Sequence, residues 1–175
     1  SDFKLTAKTS KHDYIKNVNR LKKHIQNGDI YELNYCITFE AHNTKINPLE
    51  IYYKLNAISK APYSALVKLN DKYIISASPE LFLRKHGNKL ITKPIKGTVR
   101  RGLTKEEDEK LKSELQNNIK ERTENVMIVD VARNDLSRIA KKGSVTVEKL
   151  YNIETYEQVH QMVSTVSCEL KENTS

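Results

Sequence analysis

In Lys93-Pro94-Ile95-Lys96-Gly97-Thr98 a proline restricts the entry, a glycine lets the backbone approach a ligand, and a lysine precedes a hydroxyl by two residues. A lysine so placed can bind an anion or, once desolvated, act as a nucleophilic amine; an ordinary surface lysine is the competing reading. In Ser78-Pro79-Glu80 a carboxylate follows a proline that fixes the local backbone, against the alternative of a solvated acid at a strand end. Glu124 shares a helical face with Ile128 and Val131, which predicts a carboxylate among apolar neighbours, where it needs a partner or a hard metal ion. Arg133, Asn134 and Asp135 crowd the far end of that helix and read equally as a capping and salt-bridge cluster. His160 alternates with Met162 and Ser164 along a strand, so it is either a satisfied core histidine or an acid/base group.

The elements that must position these groups announce themselves by caps and periodicity. Ser10-Lys11-His12-Asp13 opens a helix with apolar residues at Ile15, Val18, Leu21 and Ile25 and a stop at Gly28. From Ile30 to Ala41 the residues alternate, with Tyr31, Leu33, Tyr35, Ile37 and Phe39 on one face and Glu32 among the polar residues of the other, which predicts a strand. Asn47-Pro48-Leu49-Glu50 starts a second helix running to about Ser59. Two hairpins follow, 64–69 with 72–77 and 81–85 with 89–92, turning at Asn70-Asp71 and His86-Gly87-Asn88. The lysine segment reads as the loop after them. A capping box at Thr104 begins a long charged helix, broken or bent before it continues toward Ile139 and ends at Gly143; 145–150 and 156–170 are the last strands. The order predicts an α+β fold with mostly antiparallel sheets and helices packed outside, with no domain boundary inside the chain.

Of the 175 residues, 38% are hydrophobic and 30% charged, which suits a folded domain. The absence of a long apolar run or a signal pattern excludes a membrane-spanning helix and points to a soluble, cytoplasmic protein. Cys36 and Cys168 lack the spacing of a metal or redox motif and are expected as reduced, half-buried strand residues. The net charge of +8 is spread over lysines interleaved with acids, without zinc-finger spacing or an aromatic RNA-binding run, so no nucleic-acid partner is expected. The start at Ser1-Asp2-Phe3 instead of Met suggests a trimmed chain.

Taken together the segments resemble the chorismate-utilising family of aminodeoxychorismate synthase component I and anthranilate synthase component I. The resemblance rests on Gly28 to Asn34, Ser76 to Glu80, Pro94 to Thr98, Glu124 to Asp130 with Arg133 to Leu136, Gly143-Ser144-Val145, and Val159 to Ser164. It implies a partial chorismate-binding fold, with residues 1–175 the N-terminal portion of a catalytic domain that lacks its C-terminal part. It implies Mg²⁺ held in part by Glu124, Glu80 close to the reacting ring, Thr98 and His160 lining the pocket, and Gly97 admitting the substrate to the loop backbone. The lysine in Pro94-Ile95-Lys96-Gly97-Thr98 is the family's covalent nucleophile in aminodeoxychorismate formation, where anthranilate synthases carry alanine. Glu32 stands where the water-using relatives place a base lysine and the aminating ones a glutamine. Chorismate and a glutamine amidotransferase subunit that delivers ammonia are the implied partners, and folate biosynthesis the implied context. Anthranilate synthase component I is the alternative. A third reading takes the chain as an inactive fragment that serves as a binding or association module and self-associates through truncated edges.

Overall fold

The computed structural model describes residues 3–172; Ser1, Asp2 and Ser175, the ends read above as trimmed, lie outside them. Two compact units meet in sequence between Ile46 and Asn47, a boundary that no shift of composition marks.

The N-terminal unit contains β1 (Thr6–Ala7), α1 (Lys11–Gln26) and β2 (Phe39–Glu40). The Ser10 hydroxyl accepts from the Asp13 amide at 3.0 Å and donates to its carboxylate at 2.6 Å, so the expected cap forms. Asn17 donates to the Tyr35 hydroxyl at 2.7 Å, and Tyr35 stacks on Tyr14 with ring centroids 5.4 Å apart. The strand expected over 30–41 is not there: only Phe39 and Glu40 pair, with Ala7 and Thr6. Alternation supplies a face, but a strand also needs a ladder partner, and β1 offers two residues. Tyr31, Leu33, Ile37 and Phe39 are all exposed.

The second unit opens with α2 (Pro48–Ser59), capped by the Asn47 side chain, which accepts from the Leu49 and Glu50 amides. The hairpin β3 (Tyr63–Leu69) and β4 (Lys72–Ser78) follows, with Asn70 at φ 55° in the left-handed conformation its turn requires. Next come β5 (Leu81–His86), β6 (Lys89–Lys93) and β7 (Ile95–Arg100). The expected loop at 93–98 is therefore mostly strand, because Ile95 to Arg100 pair with the last strand of the fold.

Helix α3 (Lys105–Asn117) ends and α4 (Ile119–Ile139) begins at Asn118, whose side chain caps the new helix by accepting from the Glu121 amide at 3.1 Å. The helix stops at Ala140, three residues before the expected Gly143. Strands β8 (Thr146–Thr155) and β9 (Val159–Glu169) complete the unit, the former longer and the latter starting later than the sequence suggests. All pairings are antiparallel.

β9 pairs along one edge with β8 and along the other with β6 and then β7, so it is the centre of the sheet. Its even-numbered residues face α3 and α4. There Val166 and Cys168 join Leu90, Val129, Leu136, Ala140 and Leu170 in the core. Burial pushes the Cys168 thiol up from its ordinary value, whereas Cys36 is exposed. Among the described residues no helix is long and apolar enough to cross a membrane.

Candidate functional site

The β7–β9 ladder pairs Ile95 with Val163 and Thr98 with Gln161, so three steps along β7 oppose two along β9. The extra residue falls in the Lys96-Gly97 stretch and makes a bulge, a device that re-aims side chains next to sites. Gly97 takes φ 89°, and a Cβ built there would meet Glu121 Cβ, Glu121 Oε2 and Leu115 Cδ1, each at 3.1 Å. Glycine is thus required by the backbone twist and by close packing of the helices, and that side of Gly97 holds protein where the sequence reading expected a ligand.

The segment carrying Lys96 is held at nearly every residue. Lys93 Nζ pairs with Glu154 Oε1 at 2.5 Å, and the Tyr156 hydroxyl donates to Glu154 Oε2 at 2.6 Å. Burial raises the Glu154 carboxyl, but the bonds from Lys93 and Tyr156 outweigh it and the group lies below its ordinary value. Burial and the adjacent carboxylate push the Tyr156 phenol well up. Pro94 is buried, and its carbonyl accepts from the Ser164 amide at 3.1 Å. Glu80 Oε1 accepts from the Ile95 amide at 3.0 Å, and Thr98 Oγ1 accepts from Gln161 Nε2 at 3.4 Å. Lys96 is half-buried in the middle of this arrangement. Glu80 and Thr98 are therefore brought to the lysine segment, with Glu80 gripping its backbone.

His160 goes the other way. It is 1% exposed on the helix-facing side of β9, with Nε2 3.0 Å from Asp108 Oδ1 and Nδ1 2.9 Å from Thr155 Oγ1. With both ring nitrogens engaged inside the core, the geometry corresponds to the satisfied core histidine, and the pocket-lining role implied by the resemblance gains no support. The adjacent Gln161 faces Thr98 on the opposite side of the sheet. Asp108 also receives two bonds from Arg101, at 2.8 and 2.7 Å, and one from the Gly102 amide at 2.7 Å. Arg101, then the Gly102 amide and His160, hold the Asp108 carboxyl far below the usual carboxylate range.

Glu124 is displaced from its expectation by one position of helical phase. The buried face of α4 carries Asn125, Val129 and Leu136, while the Glu124 side chain is 39% exposed and 3.6 Å from Lys120. Its neighbours Ile128 and Val131, with Glu80, Leu81, Phe82 and Leu136, line an open apolar groove of about 440 Å³. Arg133 pairs with Asp130 on the exposed surface, which agrees with the salt-bridge reading of that cluster. Glu32 lies in the N-terminal unit, in the extended stretch between α1 and β2.

For magnesium, Glu124 offers one hard, half-exposed carboxylate oxygen donor with only a long surface pair to break. That fits an ion which takes one or two protein carboxylates and completes its shell with substrate and water. Among the described residues no three acids, histidines or cysteines form a cluster.

A six-stretch pattern, a central antiparallel strand and a lysine bulge beside it define a class, and comparison identifies it: the chain belongs to the chorismate binding enzyme family, whose profile matches residues 1–175. Aminodeoxychorismate synthase component 1 of Bacillus subtilis (strain 168) is 43% identical over 155 residues, covering 89% of this chain and 33% of that protein. Anthranilate synthase component 1 of Acetivibrio thermocellus is 38% identical over 177 residues, covering 99% of this chain and 35% of its own. The crystal structure of anthranilate synthase component I from Streptococcus pneumoniae TIGR4 superposes with a TM-score of 0.87 at 28% identity, covering 100% of this chain and 38% of that one. The chain thus spans about a third of the length of these curated relatives.

Asp108, Arg101, Glu154 and Gln161 escaped the sequence reading. Asp108 sits in the acidic run after Thr104, where it looks like one more solvated helix charge. Gln161 was hidden by its neighbour, since alternation shows that His160 and Gln161 face opposite ways but not which face is the core.

Proposed function

We propose that the chain supplies the lysine-bearing part of an aminodeoxychorismate synthase component I, which converts chorismate and ammonia to 4-amino-4-deoxychorismate. The observation that carries this reading is the bulge at Lys96, half-buried and held through Lys93, Ile95 and Thr98. A nucleophile gains from such restraint because the cost of orienting it is met in folding.

In this reading Lys96 Nζ, deprotonated, adds at C2 of chorismate as the C4 hydroxyl leaves with a proton as water. Ammonia then adds at C4 and expels the lysine amine, so chorismate and ammonia become the aminodeoxy product and water. Glu80 keeps the segment in register by accepting from the Ile95 amide. Glu124 would hold magnesium, which when bound supplies positive charge against a substrate carboxylate. A glutamine amidotransferase subunit provides the ammonia, the enzyme works in the cytoplasm, and the product feeds p-aminobenzoate and folate synthesis. Glu32 is assigned no step.

Anthranilate synthase component I is the second reading, supported by relatives of similar identity and by the fold match to the Streptococcus pneumoniae enzyme. Mass spectrometry of the products from chorismate, magnesium and an ammonium salt separates the two in the intact gene product. Aminodeoxychorismate is expected, and its loss in Lys96→Ala by at least ~100-fold, the scale of a missing catalytic group. Unchanged product formation by that variant sinks the lysine mechanism, and fluorescent anthranilate selects the second reading. The 175-residue chain itself, a third of its relatives' length, is expected to show no turnover and to act as a folded association module.

A further inference from the structure

Ser164 sits where three elements meet. Its amide donates to the Pro94 carbonyl at 3.1 Å, which fixes the lysine segment two residues before Lys96. Its hydroxyl donates at 2.5 Å to Asn125 Oδ1, one residue beyond Glu124 on α4, and accepts from the Tyr151 amide of β8 at 3.2 Å. The polarity of this chain of bonds is determined. The Tyr151 amide can only donate, which leaves the one hydroxyl proton for Asn125. The Met162 carbonyl can only accept, so it takes Asn125 Nδ2 at 3.4 Å and turns Oδ1 toward the serine. Ser164 and Asn125 are both 0% exposed.

The surroundings of this pair are specified beyond packing. Tyr151 takes φ 56°, a left-handed conformation that is costly for a bulky side chain, where the β8–β9 register shifts between Lys149 and Asn152. Its amide reaches Ser164 from that conformation. Arg122, three residues before Asn125 and so a neighbour on the helix surface, places its guanidinium 4.5 Å from the centroid of the Tyr151 ring. α4 is therefore pinned to the sheet at Arg122 and at Asn125, and Glu124 lies between the two pins in sequence. Two apolar residues in place of Asn125 and Ser164 would tolerate a rotation or a slide of the helix. The polar pair does not, because any other register strands Asn125 Oδ1 and the Tyr151 amide without partners in a dry core.

We infer that Ser164 and Asn125 are positioning residues that set the Glu124 carboxylate at a fixed place relative to Lys96, by tying α4 and the lysine segment to one residue of β9. The inference rests on the reading above, in which Glu124 holds magnesium and Lys96 is the nucleophile, and adds what fixes the two relative to each other. Ser164 and Asn125 are sealed from solvent and take no part in a chemical step.

The test uses the intact gene product and two readouts: affinity for Mn²⁺ alone, by titration followed by electron paramagnetic resonance, and steady-state kinetics with chorismate, magnesium and an ammonium salt. The double variant Ser164→Ala/Asn125→Leu removes both partners of the central bond and leaves the core apolar, which keeps the fold more readily than either single change. It should lose about tenfold in Mn²⁺ affinity and about tenfold in kcat, the scale of a lost outer-shell group, while the KM for ammonia stays within about twofold. Ser164→Thr keeps the hydroxyl and should hold both quantities within about threefold of wild type. A folded double variant with unchanged Mn²⁺ affinity and kcat overturns the inference and leaves the pair as core packing. A Ser164→Thr protein as impaired as the double variant overturns it as well. Should the double variant fail to fold, Arg122→Gln removes the exposed pin without touching the core and should lower the same two quantities about threefold; no change there is equally fatal. Glu124→Gln separates this failure from that of the underlying reading. If it binds Mn²⁺ as tightly as wild type, the magnesium assignment falls and the inference with it; if it binds more weakly while the double variant matches wild type, the inference falls alone.

Discussion

At the scale of single residues, Asp108 shows how one carboxylate can anchor a region. It accepts from Arg101, Gly102 and His160, and so ties the first turn of α3 to the end of β7 and to the start of β9. Because Arg101 and its other donors depress the folded-state value, the stabilisation is fully present above the ordinary carboxylate value of 3.8 and is lost as pH falls through the depressed one. Thermal melts from neutral pH downward should therefore show a steep loss of stability on the acid side of 3.8. Asp108→Asn should lower the melting temperature at neutral pH and flatten that acid limb. An acid limb identical to wild type would show that other carboxylates govern it. Asn125 plays a similar part without charge: it is fully buried, accepts from the Ser164 hydroxyl and donates to the Met162 carbonyl. Lys96 belongs to this scale too, since everything chemical in the proposal depends on one amine.

At the scale of elements, the break between α3 and α4 sets the angle at which both helices meet the sheet. Asn118 is the last residue of one helix's cap and the first of the next, and it brings Glu121 and Leu115 against Gly97 from either side of the break. Asn118→Ala removes the acceptor for the Glu121 amide and should cost about 1 kcal/mol, the ordinary worth of such a cap. Urea denaturation followed by circular dichroism measures it, and a change within error would mean that packing alone holds the break. The sequence reading expects this helix to be broken or bent before it continues toward Ile139, and the break falls at Asn118. The strand of 30–41 was not correctly anticipated, since Tyr31, Leu33, Tyr35, Ile37 and Phe39 describe a face while saying nothing about whether an edge exists to pair with. The strand character of Ile95 to Arg100 was concealed for the opposite reason: proline and glycine signal a loop, yet Pro94 precedes the ladder and Gly97 occupies a bulge within it.

At the scale of the whole chain, the buried core lies in the second unit, and large apolar side chains remain on the surface, among them Phe82 at 83%, Leu103 at 91% and Ile119 at 82% exposure. Among the described residues β8 and β5 each pair along one edge only. Open edges and apolar patches favour association. Sedimentation velocity of the 175-residue chain over a series of concentrations should show a rising sedimentation coefficient. A monomer at every concentration would show that these surfaces are tolerated in water.

The sequence by itself determined the punctuation and the family. Caps at Ser10, Asn47 and Thr104, the turn at Asn70 and the charged helix before Asn118 all depend on contacts within a few residues, so their physics is local. The same is true of the ordered blocks that tie the chain to the chorismate binding enzymes. Only the tertiary structure decided which face of β9 is core, and hence that His160 is sealed by Asp108 while Gln161 looks toward Thr98. It alone joined Lys93 to Glu154 and left Glu124 half-exposed beside Lys120. Those pairs lie 52, 63 and 61 residues apart in the chain, and no local interaction can select among partners at such separations until the sheet has closed around β9.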